Sequence, residues 1–112
     1  MRDTGKSNGA LGNEGKTSRK STVRYMWSLM NFLLEGRDSA GRFAVVEYHA
    51  RQGSEPPPHV HTHESEFFYI LEGRLVCFVD HRAISIGPGE CVFLRKGKPH
   101  AFRIQSPMVR AL

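Results

Sequence analysis

His59-Val60-His61-Thr62-His63 places three of the chain's six histidines within five residues. In an extended strand alternate residues share a face, and their Cα atoms stand roughly 6–7 Å apart. Two imidazoles at that separation can converge on one ion, at metal–nitrogen distances of about 2.0–2.2 Å. Pro56-Pro57-Pro58 just upstream favours extension, because a residue preceding proline is driven out of the helical region. His59, His61 and His63 then share one face. Two other residues are out of keeping with their neighbours. Glu66 opens the apolar run Phe67-Phe68-Tyr69-Ile70-Leu71, and His100 leads into Ala101-Phe102-Arg103-Ile104. A carboxylate or imidazole at the head of a core strand is costly unless it faces a polar site. One such residue is usually a satisfied structural group; four in one small domain point to a shared site.

The elements that must position these residues read as strands. Tyr25–Leu34 is apolar and aromatic, and fits a strand, with a helix as the alternative. Residues 35–41 form a turn cluster rich in Gly and Asp. Phe43–His49 is rich in β-branched and aromatic residues, and residues 53–58 form a loop stiffened by three prolines. Phe67–Leu71 and Leu75–Val79 flank Glu72-Gly73-Arg74, which predicts a hairpin. Ala83–Ile86 follows a turn at Asp80-His81, and Gly87-Pro88-Gly89 makes another turn. Cys91–Leu94, Ala101–Ile104 and Met108–Leu112 complete the set. Short strands at such regular spacing predict an all-β sandwich or barrel.

These residues fall into a known pattern. Gly53-x5-His59-x-His61-x4-Glu66-x6-Gly73 resembles the first signature motif of the cupin superfamily at every fixed position. Gly89-x5-Arg95-x-Gly97-x2-His100-x3-Ile104 resembles the second, with Arg95 where the family usually has Pro and Ile104 where it usually has Asn. The 15 residues between Gly73 and Gly89 are similar to the shortest spacer of the family. The resemblance covers roughly residues 40–112. It implies a small antiparallel β-barrel of the jelly-roll type, completed by dimerisation if its edge strands remain open. It also implies the metal ligands His59, His61, Glu66 and His100, and leaves His63 as a spare ligand, proton shuttle or rim residue. Three neutral imidazoles and one carboxylate suit a single divalent ion, Fe, Mn, Ni, Co, Cu or Zn. Four ligands on a six-coordinate ion leave two positions for substrate, O₂ or water. The family's quercetin-dioxygenase type implies a metal-dependent enzyme in which Glu66 is the catalytic base. By strand parity Phe68, Ile70 and Phe102 line its interior, which suits an apolar or aromatic substrate. A non-catalytic small-molecule sensor and a cupin isomerase are the alternatives, as is a metal-free barrel whose histidines merely pack. A homodimer is expected.

Composition narrows the remaining possibilities. The chain has 112 residues, enough for one domain, with 39% hydrophobic residues to form its core. No apolar run approaches the roughly 18 residues that cross a bilayer, so no membrane association is expected. The absence of an apolar N-terminal stretch predicts a cytoplasmic protein. The net charge of +5 is concentrated at one end: residues 1–24 hold six cations and two anions. A disordered basic leader over 1–24, followed by one domain over 25–112, accounts for this without a nucleic-acid partner. Ala10–Thr17 loosely matches a phosphate-binding loop but lacks the flanking strand and helix which that loop needs. Cys77 and Cys91 sit in apolar runs without a CxxC spacing, and are expected to be buried free thiols.

Overall fold

The computed structural model describes residues 21–25 and 27–112. Among the described residues nine strands form where β-branched and aromatic residues recur: β1 (Ser21–Tyr25), β2 (Ser28–Leu34), β3 (Val45–Arg51), β4 (Glu66–Glu72), β5 (Leu75–Val79), β6 (Arg82–Ile86), β7 (Cys91–Leu94), β8 (His100–Ile104) and β9 (Met108–Ala111). A single 3₁₀ turn, Gly36–Ser39, separates β2 from β3. Every pairing is antiparallel. One sheet runs β1-β2-β3-β9-β4-β7 and the other β6-β5-β8. The two sheets make the expected antiparallel jelly-roll barrel.

Period-two alternation decides what lies inside. β7 buries Val92 and Leu94 and exposes Cys91 and Phe93; β8 buries His100, Phe102 and Ile104 and exposes Arg103. Ile70, Leu75, Cys77, Ile104 and Val109 are wholly buried at the centre. Full burial of one such aliphatic side chain contributes about 1.5–3 kcal/mol, against about 0–1 kcal/mol for an exposed ion pair. Apolar burial therefore carries the barrel, and the polar bonds on its surface set alignment.

Those surface bonds form a row across five strands. Thr22 Oγ1 donates to Asn31 Oδ1 (3.0 Å), and Asn31 Nδ2 donates to Glu47 Oε1 (3.1 Å). Arg110 then bridges Glu47 Oε2 (3.1 Å) and Glu72 Oε1 (3.0 Å). The Asn31 amide above all, with His49 and Arg110, holds the Glu47 carboxyl below its ordinary value of 4.5.

Four expectations need correction. Residues 72–74 do not close a hairpin: β4 pairs with β9 and β7, whereas β5 pairs with β6 and β8. The chain turns a corner between sheets there. Gly73 takes φ +84°, and a Cβ at that position would run into the Met108 carbonyl and Ser106 Oγ. Gln105 N–H donates to Arg74 O, and Arg74 N–H donates to Ser106 Oγ (both 2.9 Å), which pins the corner to the β8–β9 turn. Tyr25–Leu34 is two antiparallel strands, with Tyr25 opposite Ser28 across the turn. Ser21–Arg24 belong to β1, so the boundary expected after residue 24 falls inside a strand; the rest of the leader and the Ala10–Thr17 pattern lie outside the described residues. Cys77 is buried but Cys91 is exposed, because parity in β7 turns it outward; both are free, as expected. Burial pushes the Cys77 thiol up to about 11, which makes it inert at neutral pH.

Two outcomes follow from these contacts. Gly73→Ala should lower unfolding stability in urea by about 2–4 kcal/mol, because strained φ and backbone overlap coincide; stability within about 0.5 kcal/mol of the parent would show that this corner relaxes freely. Glu47 has its folded pKa below the unfolded value, so its contribution is present above 4.5 and lost as pH falls through the lowered value. Glu47→Gln should therefore flatten the loss of thermal stability below pH 4.5, relative to the parent protein, in melts taken across that range.

Candidate metal centre

His59 and His61 lie outside regular strands, on the segment between β3 and β4, whereas Glu66 starts β4 and His100 starts β8. Backbone bonds draw them together. His59 and His100 exchange N–H···O=C bonds of 3.0 and 2.9 Å, an isolated antiparallel bridge beyond the regular pairing of β8. Gly97 N–H donates to His61 O at 2.7 Å. That contact needs the left-handed turn at Gly97 (φ +84°). Arg95, where the family usually has Pro, is exposed just before this turn, and Ile104 is in the core.

The four side chains meet at one end of the barrel. One donor atom from each of His59, His61, Glu66 and His100 lies within 4.8 Å of all the others, so the group could hold a metal ion. Glu66 Oε1 is 3.0 Å from His100 Nε2 and 3.3 Å from His61 Nε2. Donors held about 2.1 Å from a shared ion stand roughly 3–4 Å from one another. The ring of His59 crosses those of His61 and His100 at centroid distances of 5.0 and 4.5 Å. The second nitrogens of His59 and His100 are oriented by backbone acceptors, as in ligating histidines, and that of His61 lies near a carboxylate. His59 Nδ1 lies 3.0 Å from Pro57 O, His100 Nδ1 3.4 Å from Lys98 O, and His61 Nδ1 3.5 Å from a Glu64 carboxylate oxygen.

Glu66 Oε1 and His100 Nε2 are buried without a hydrogen-bond partner among the described residues. An unsatisfied buried polar group costs about 1–3 kcal/mol, and more when charged. Two such atoms facing each other in one cluster fit a site that a cation completes. His63, which shares a face with His59 and His61 if the segment is fully extended, is exposed and lies outside the group. The segment bends away before reaching it.

Below this cluster the interior is aromatic. Phe102 makes edge-on contacts with Phe68 (5.7 Å) and Tyr48 (6.0 Å). Ile70 lies deeper, wholly buried. Sequence reasoning missed Tyr48, whose hydroxyl lies 3.4 Å from Ser28 Oγ; Ser28 Oγ in turn lies 3.2 Å from Ser54 Oγ. Burial holds the Tyr48 hydroxyl above its ordinary range. It also missed Glu55, whose Oε2 accepts the Ile104 N–H at 2.7 Å and braces the histidine-bearing segment against β8. A glutamate before three prolines carries no signal of a partner 49 residues away. A groove of about 440 Å³ runs between this segment and β8, lined by Glu55, Pro56, Pro58, Phe78, Phe102 and Ile104 among others.

Comparison with known proteins agrees with this architecture. The chain is 29% identical over 70 residues to a quercetin 2,3-dioxygenase of Bacillus subtilis (strain 168), covering 62% of this chain and 21% of that protein. It thus spans about a fifth of the length of that curated relative. The polyketide cyclase RemF from Streptomyces resistomycificus superposes with TM-score 0.68 at 26% identity, over 88% of this chain and 76% of that one. The cupin domain of Schizosaccharomyces pombe Cnp3 superposes with TM-score 0.70 at 16% identity, over 81% of this chain and 64% of that one. Among the described residues no helix is long and apolar enough to cross a membrane. Residues 45–110, more than half of the chain, match the cupin domain family, and the chain belongs to that family.

Proposed function

We propose that His59, His61, Glu66 and His100 bind one divalent transition-metal ion, and that the protein is a metal-dependent enzyme of the dioxygenase type acting on a small apolar or aromatic molecule. The observation that carries this reading is the pair of buried atoms Glu66 Oε1 and His100 Nε2, 3.0 Å apart and without a hydrogen bond, inside a four-donor cluster. A bound ion would supply Lewis acidity and open coordination positions at that point.

The protein's own groups account for the rest. His59 and His100 are held by their mutual backbone bridge, so two of the imidazoles are pre-positioned. Glu66 is partly accessible, with 29% of its side chain exposed, whereas His100 has only 3%. The His61 side chain is 32% exposed as well, so what singles out Glu66 is its chemistry: it is the one carboxylate of the four, and it can accept a substrate hydroxyl proton on a carboxylate oxygen, as a general base must. Phe68, Phe102 and Tyr48 exclude water and offer ring edges to an aromatic substrate. None of the four residues lines the groove beside β8; Pro58 and Ala101 on its wall are chain neighbours of His59 and His100. Its volume is in the range of small-molecule sites. The likeness to proteins named for quercetin and for a polyketide supports a substrate of that kind.

Metal content of untagged protein, followed by titration with Fe(II), Mn(II), Ni(II), Co(II), Cu(II) and Zn(II), tests the site. Binding should approach one ion per chain. At an ion concentration about 100 times the dissociation constant it should stabilise the fold by about 2.7 kcal/mol. His100→Ala should remove that gain. Uptake below about 0.1 ion per chain would overturn the metal assignment. Turnover is tested separately, by adding O₂ to metal-loaded protein preincubated anaerobically with flavonols and diketones. Ligand binding without conversion across that panel would favour the sensor reading over the enzyme.

A further inference from the structure

The segment that runs along the free side of β8 is joined to it at two points. His59 and His100 exchange backbone bonds at one, and the Glu55 carboxylate takes the Ile104 N–H at the other. Continuing the register from His59 opposite His100 sets Pro57 opposite Phe102 and Glu55 opposite Ile104. The middle rung of this ladder is therefore a proline. Pro57 has no N–H to give to the Phe102 carbonyl. Its own carbonyl lies 3.0 Å from His59 Nδ1, and no backbone bond joins it to Phe102.

Phe102 nevertheless directs both of its backbone polar groups to this side. The outward bonds of His100 and Ile104 lie here, and alternation puts Phe102 in the same set. Gln105, of opposite parity, donates to Arg74 O on the β5 side instead. Phe102 is only 9% exposed. More than about 90% of buried backbone N–H and C=O groups are paired in folded proteins, so this donor and acceptor call for a partner. They open on the groove of about 440 Å³ beside β8. Pro56, Pro58, Phe78 and Ala101 give it apolar walls, and Arg103 supplies a cation. Glu55, the acid on its wall, is engaged by Ile104 N–H.

We infer that this groove binds a small carboxylic acid that carries a hydrogen-bond donor on the carbon next to the carboxylate and an apolar body beyond it, as an N-acylglycine does. Two facing residues of an antiparallel sheet exchange N–H···O=C bonds in both directions. The ligand completes the rung that Pro57 cannot: its carboxylate accepts the Phe102 N–H, and its amide N–H donates to the Phe102 carbonyl. Arg103 offsets the carboxylate charge, and a bond to an ionised group is roughly twice as strong as a neutral one. The acyl group lies against Phe78, Pro56 and Pro58. Size is limited as well. The closed rungs at His100 and Ile104 stand about 13 Å apart at roughly 3.3 Å per residue, so a molecule of one residue's length fits and a longer extended peptide does not. None of the four metal-cluster residues lines the groove, so the inference is independent of the metal.

The test is a ¹⁵N-resolved NMR titration of the chelator-treated full chain with N-benzoylglycine. The Phe102 amide resonance should move saturably, with a dissociation constant of about 1 mM or tighter for a ligand of this size. N-Methylation of the ligand removes its donor, and Arg103→Gln removes the cation from an exposed position. Each should weaken binding by roughly tenfold or more. Added Zn(II) should leave the affinity unchanged. A Phe102 resonance that stays still up to about 20 mM ligand, or an affinity indifferent to N-methylation or to Arg103→Gln, would overturn the proposal. So would binding that requires Zn(II), because the acid would then sit on the metal cluster rather than in the groove.

Discussion

Two backbone hydrogen bonds between His59 and His100 set the geometry on which the rest of the molecule depends. They join a segment that proline keeps out of regular pairing to the first residue of β8. Without that bridge the histidine-bearing segment would be an ordinary surface loop, and the free side of β8 would be open. With it, two imidazoles are fixed side by side, and Glu66 at the head of β4 completes a cluster drawn from three parts of the chain. Glu55 and Gly97 reinforce the arrangement from either side, one holding Ile104 N–H and the other donating to His61 O.

The energetic character of the barrel follows from this. Its interior divides into a polar end and an apolar body, with Phe68, Phe102 and Tyr48 at the boundary. The apolar body offsets two buried polar atoms that make no hydrogen bond, because each wholly buried aliphatic side chain contributes as much as one unsatisfied polar atom costs. A polar cluster at one end of the barrel is thus tolerated by a core that does not depend on it. The surface is ordered by a different device, the polar row from Thr22 to Glu72, which crosses five strands and keeps the larger sheet in register.

The strand edges show a second constraint. A jelly roll of two sheets has four outer strands, and each must be covered, blunted or paired. Here the segment bearing the histidines covers one of them, so one stretch of chain both carries two residues of the cluster and closes an edge. The apolar β7 edge has no such cover among the described residues.

Much of this was written in local pattern. Short apolar runs between turn signals marked β4, β7 and β8 as strands; the spacing of His59 and His61 on extended chain, a short-range property, marked a shared face, and the family resemblance added Glu66 and His100 to one site. The inward parity of Phe68, Ile70 and Phe102 could be read the same way. The sheet to which each strand belongs could not. Gly73 looks like a hairpin turn, yet it is a corner between sheets, since only the approach of Met108 and Ser106 decides where β5 goes. Tyr25–Leu34 reads as one apolar run, and its division into two strands depends on the partner that β3 offers to β2. His63 shares the period of its neighbours and is excluded only because the segment bends once Gly97 has tied down His61. Glu55 and Tyr48 gave no sign, since a glutamate or tyrosine acquires its role from a partner far along the chain. Residue type and spacing thus determined which groups could bind a metal. The tertiary fold decided which of them converge, because convergence depends on hydrogen bonds between residues tens of positions apart that no local period encodes.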